Sequence, residues 1–178
     1  MPGAGLAVNN TDGGLRADMP AGPVTYGTVF EVMPFDNRVV AFHMSGADIR
    51  KMVATWVSAR VPATPGIAGL RIRVSCEGPA LNVALIRPDG QRVEDRERVL
   101  VVTNDFLATN GDNIFGSVVP PDGFTVEQDA GTVRDVVIGA LKKYGPTLGE
   151  AQLLDGPNPR WVLPAPRPVA CSARRRDL

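Results

Sequence analysis

Apolar and polar residues recur along this chain with periods that divide it into short elements. Leu70, Ile72, Val74 and Cys76 alternate with polar neighbours, the period of two expected of a strand with one buried face. Within residues 47–60, Ile49, Met52, Val53, Trp56 and Val57 recur at helical spacing. Ser45 is placed to cap that helix, and Asp48 suits the positive end of its dipole. A second helix is predicted over 132–144, with Val133, Val136, Val137, Ala140, Leu141 and Tyr144 on one side and Gly145-Pro146 ending it. Weaker signals give strands at 5–9, 38–44, 98–103 and 124–127. Residues 81–86 and 91–93 flank Pro88-Asp89-Gly90 as a hairpin. A short helix spans 25–32, capped by Thr25 and stopped by Pro34. Strands interrupted by two well-separated helices predict an α+β domain, a mixed sheet with two main helices. That domain is expected to occupy residues 1–163, with Trp161 and Val162 docking as a last strand. Residues 164–178, rich in Pro and Arg, are expected to be a disordered tail.

Composition narrows the chemistry. Lys+Arg and Asp+Glu balance at 19 each over 178 residues, so no global field draws in a nucleic-acid polymer or an anionic membrane. The Arg174–Arg176 run reads as solvated tail. No apolar run approaches the roughly 20 residues of a membrane span, and MPGAGLAVNN lacks the pattern of a secretory signal. Cys76 and Cys171 are far apart and in no CxxC motif; they read as one core thiol and one tail thiol, with a single disulfide as the alternative. His43 is the one histidine, in the strand-like RVVAFHMS, and reads as structural or surface. A dinuclear phosphoesterase centre needs several His, Asp and Asn ligands, so none is expected here.

Two loops stand apart from ordinary turns. NTDGGLR begins at Asn10 and NDFLATNGD at Asn104, each directly after a strand, where ligand contacts gather. Gly13 and Gly14 permit close backbone approach or positive φ. Arg16 offers a planar fork of donors for phosphate, carboxylate or vicinal hydroxyls. Asp112 can accept from two hydroxyls at once, as on a ribose. Phe106 can stack on a planar base. The alternative is plainer, with Phe106 in a core, Arg16 in a surface ion pair and Asp112 in a turn.

The stretch NTDGGLRADMPAGPVTYGTVFEVMPFDN resembles the opening of the 5'-nucleotidase C-terminal domain, where an N-x-GG-I/L-R loop leads through a short helix to Pro-Phe-x-Asn. VVTNDFLATNGDNIF resembles that family's second signature, an Asn-x-Phe-x-Ala-x-Gly-Gly-Asp loop. The similarity spans roughly residues 6–163. It implies a domain that binds the nucleoside part of a nucleotide and presents it to a separate N-terminal metallophosphoesterase domain or chain, which holds two divalent metals and hydrolyses the substrate in nucleotide catabolism. It further implies that Arg16 contacts the ribose or phosphate, Phe106 forms one wall of a base clamp, Asp112 holds the ribose hydroxyls, Asn37 lies near the base and Arg38 adds a contact. Family members act in the periplasm or outside the cell.

The chain departs from the pattern in three places. No metallophosphoesterase domain precedes Asn10, so no hydrolysis is expected of the chain alone and no cofactor of its own. The clamp's second aromatic, just before Gly69-Leu70, is missing from VPATPGIAG. The usual Gly-Gly-Asp is Asn110-Gly111-Asp112, where Asn tolerates left-handed φ. The missing aromatic motivates an alternative: a free-standing, non-catalytic module for a small sugar-like or other polar ligand.

Overall fold

The computed structural model describes residues 3–60, 65–115, 123–149, 153 and 156–172. Among these residues, strands and α-helices run in the order β1 (Leu6–Asn10), α1 (Tyr26–Val32), β2 (Val39–Ser45), α2 (Gly46–Ser58), β3 (Pro65–Ala68), β4 (Arg71–Glu77), β5 (Ala80–Ile86), β6 (Arg98–Asn104), α3 (Asp105–Ala108), β7 (Thr125–Val126), α4 (Val133–Tyr144) and β8 (Trp161–Val162). One sheet has the order β3-β1-β6-β2-β7, the other β5-β4-β8. β1 and β6 are parallel, while β3, β2 and β7 join the first sheet antiparallel, so that sheet is mixed as expected.

The core follows the apolar periodicity. α2 buries Ile49, Met52, Val53, Trp56 and Val57, and Ser45 caps it by accepting from the Asp48 N–H. Ile72 and Val74 of β4 point into the same cluster as Leu6, Val8, Phe42, Leu85 and Val101. Thr25 caps α1 through a reciprocal pair with Thr28. Among the described residues no helix is long and apolar enough to cross a membrane.

The hairpin at Pro88-Asp89-Gly90 does form: Ile86 bridges Arg92 antiparallel, the Arg87 N–H donates to Gln91 O and the Val93 N–H to Leu85 O, while the other edge of β5 pairs with β4 along its whole length. Three expectations need correction. The stripe on α4 does not face the core: Val136 is 46% and Tyr144 52% exposed, and the residue this helix buries is Arg134. The loop after β6 contains α3, capped by Asn104, and a 3-10 turn at Gly111–Asn113.

The third concerns the cysteines and the tail. Cys76 and Cys171 form a disulfide, with Cα atoms 5.4 Å apart across 95 residues. The segment beyond Leu163 therefore returns to the domain. The Val169 N–H donates to Val57 O, Val169 is buried, and Arg167 lies over the Trp56 ring at 4.0 Å. The Arg174–Arg176 run lies outside the described residues.

Candidate functional site

Sheet topology decides which loops meet. β1 and β6 are parallel neighbours, so the segments that follow Asn10 and Asn104 leave the same end of the sheet. β2 runs antiparallel to β6, with Val39 opposite Asn104, so the segment entering β2 arrives at that end too. Three stretches distant in sequence, 10–16, 33–38 and 104–113, are thereby brought together.

Side-chain amides stitch them. Asn104 Nδ2 donates to Asn9 Oδ1 at 2.9 Å and to Asn10 Oδ1 at 3.3 Å, while its Oδ1 accepts from the Leu107 N–H at 2.8 Å. Asn10 Nδ2 donates to Asp112 Oδ2 at 2.9 Å. Asn10 and Asn104 are both buried, so each amide needs these partners to offset its desolvation. Sequence reasoning did not single out this network. The available signal was the Asn pair closing β1 and the Asn closing β6.

Gly14 sits where a Cβ would lie 2.6 Å from Asn10 Oδ1 and 2.7 Å from Asn10 Cγ, so the first loop closes only around glycine. Gly13 has Asp112 Oδ2 3.5 Å from where its Cβ would be, an ordinary contact across the two loops. Gly111 backs the Phe106 ring, and a Cβ there would lie 2.5 Å from Cδ1 and 2.6 Å from Cζ. The left-handed backbone falls instead on Asn110 (φ 71°), Asp112 (φ 52°) and Asn113 (φ 50°). Asn and Asp bear that conformation better than most side chains, yet three such residues within four concentrate strain in the loop.

Phe106 is 43% exposed rather than a core residue. Arg16 is exposed, its N–H donates to Val32 O, and its guanidinium lies 5.1 Å from the Phe35 ring centroid. Phe35 and Asn37 line a crevice with Asn10, Gly14, Asn104 and Val133. Its volume is about 10 Å³, room for about one water. Asp112 reaches this crevice through Asn10 and Arg16 reaches it through Phe35, while Phe106 stands on the α3 side outside it. Arg38 is not among the crevice residues. Its backbone is fixed to Asp105 in both directions, and its Nη2 donates to Gln128 Oε1 at 3.2 Å. The two loops thus present an exposed phenyl ring at Phe106, a carboxylate tied to Asn10 and an exposed guanidinium resting on Phe35. Among the described residues no three His, Cys, Asp or Glu side chains are grouped to hold a metal ion.

A larger groove, about 830 Å³, lies elsewhere, between α2 and the β4–β5 pair, and shares no residue with these loops. Arg50 in its wall is engaged internally with Val83 O, Val93 O and Asp95. The groove is open, and among the described residues none of its polar side chains is buried and unpartnered, so the loops remain the better candidate.

Residues 3–118 match the family described as 5'-nucleotidase, C-terminal domain. Over 121 residues, 62% of this chain, it is 31% identical to the trifunctional nucleotide phosphoesterase protein YfkN of Bacillus subtilis, of which it covers 8%. Over 110 residues, also 62% of this chain, it is 29% identical to protein UshA of Yersinia enterocolitica, of which it covers 20%. A crystal structure of a 5'-nucleotidase precursor from Thermus thermophilus superposes over 90% of this chain and 32% of its own with a TM-score of 0.68; at 24% identity that shows a shared fold. The chain thus spans about a third or less of the length of these relatives. Two loop signatures meeting at one sheet end, a mixed sheet of the same fold and a family match over most of the chain lead to one assignment: this chain belongs to the 5'-nucleotidase C-terminal domain family.

Proposed function

We propose that this chain is the substrate-recognition domain of a 5'-nucleotidase-type metallophosphohydrolase and binds the nucleoside part of a nucleotide on the surface formed by its two loops. The observation that carries the reading is the Asn10–Asp112 hydrogen bond, which ties the glycine-rich loop to the loop bearing Phe106. On this reading Phe106 stacks on one face of the base, and Asp112 accepts from the ribose hydroxyls with its remaining lone pairs. Arg16 donates to the ribose or phosphate region, and Asn37 faces the base edge. Arg38, held by Asp105 and Gln128, shapes the segment that carries Asn37. The divalent metals and the hydrolysis belong to a separate metallophosphoesterase domain or chain, as the relatives' greater length allows. A crevice the size of one water encloses no sugar. The ligand therefore lies across an open surface, and a second domain closing over it supplies the rest of its burial.

Calorimetric titration with adenosine and AMP tests the reading. Binding in the micromolar to millimolar range, weakened about 10- to 100-fold by Phe106→Ala, is the expected result, since stacking contributes about 1–3 kcal/mol per base. No heat at millimolar ligand, or no effect of Phe106→Ala, removes nucleoside recognition.

A second reading, a module for a small sugar-like or polar ligand, is favoured by one observation: VPATPGIAG offers no aromatic to cover the other face of a base. Thermal-shift screening separates the two, with hits among sugars and none among nucleosides supporting the second.

A further inference from the structure

α4 owes its position to polar contacts more than to apolar burial, and the contacts converge on the segment between α1 and β2. Arg134 is only 5% exposed. Its Nη1 donates to Met33 O at 3.0 Å and Phe35 O at 3.1 Å, and its Nη2 to Asp36 Oδ1 at 2.5 Å. The same guanidinium lies 4.9 Å from the Phe30 ring centroid and 5.8 Å from that of Tyr26. Beside it the Val133 N–H donates to Asn37 O at 2.9 Å, and Arg38 bridges to Thr132. One buried cation therefore grips three of the four residues 33–36, and the first turn of its helix holds the two that follow.

Phe35 and Asn37, which face the crevice, stand inside this bracket. We propose that Arg134 is a positioning residue for ligand recognition: it holds residues 33–37 so that Phe35 supports Arg16 and Asn37 presents its amide at the crevice. The inference rests on the nucleoside reading above. Arg134 touches no ligand itself. Its planar fork makes the choice of residue specific, because an ammonium at the same place keeps the charge over the two rings but cannot meet two carbonyls and a carboxylate in fixed directions.

The test compares the native chain with Arg134→Lys, Arg134→Ala and Asp36→Asn, in AMP titrations and in hydrogen exchange of the ligand-free proteins. For Arg134→Lys the expected result is an AMP affinity lower by about tenfold, faster exchange confined to residues 33–38, and native exchange in α2 and β6. Asp36→Asn should lie between it and the native chain. The exchange readout does not depend on binding, so it decides the bracing even if Arg134→Ala fails to fold. Unchanged exchange at 33–38 in Arg134→Lys, or unchanged AMP affinity beside faster exchange, overturns the inference alone. A native chain that binds no nucleoside overturns the reading of the site instead, and with it the functional half of this inference.

Discussion

At residue 111 a single hydrogen atom decides where an aromatic ring can lie. The Phe106 ring occupies the space a Cβ would need, so Gly111→Ala must tilt the ring or open the loop. Gly111→Ala should therefore weaken AMP binding to about the level of Phe106→Ala while circular dichroism stays native, and calorimetry on both variants checks it. Gly111 was legible in the sequence as a loop glycine, but its reason was not. Positive φ falls on Asn110, Asp112 and Asn113, and the glycine is required by a side-chain contact five residues back. The amide seam was less legible still. Asn10 and Asn104 meet only because β1 and β6 pair in parallel, and no local pattern reveals which strands become neighbours.

Among the elements, α2 was readable and α4 only half so. α2 buries the stripe its spacing shows, because it lies against both β2 and β5. α4 fills the predicted span from Val133 onward, with Thr132 as its cap, yet its apolar stripe stays largely uncovered and a charged residue anchors it. Periodicity shows which face is apolar and says nothing of what covers it. The start of α4 is a reciprocal cap, in which the Thr132 N–H and hydroxyl both donate to Asp135 Oδ2. Those bonds hold the Asp135 carboxyl below its ordinary range, and a hydrogen bond from Arg87 does the same for Glu97. A carboxylate depressed on folding contributes stability that is present above its unfolded pKa and lost as pH falls through the folded one. The chain should thus lose stability below about pH 4. Asp135→Asn should lose less over that range, having less to lose. Denaturant melts across the acid range check this, and an identical pH profile for the two proteins would contradict it.

At the scale of the whole molecule, the second sheet and the C-terminal segment act as one closing unit. Arg160 donates to Ile67 O and the Trp161 indole to Pro65 O, which joins β8 to β3 of the other sheet. The Cys76–Cys171 bond then fixes the chain beyond β8. Sequence spacing could not pair these cysteines, because the pairing depends on the C-terminal segment turning back over Val57 and Trp56. A disulfide closing a loop of this length contributes about 2–4 kcal/mol. Reduction, or Cys171→Ser, should lower Tm by roughly 5–15 °C and raise the exposure of Trp56, read by tryptophan fluorescence. An unchanged Tm would show that the bond constrains nothing in the unfolded chain. The bond also fits an oxidising compartment better than a reducing one. Loop convergence is the claim on which the functional account turns, and amide chemical-shift mapping with AMP tests it most directly. The account predicts that Arg16, Asn37, Phe106 and Asp112 shift together with one dissociation constant; shifts confined to the α2–β4–β5 groove, or to only one of the two loops, would contradict it.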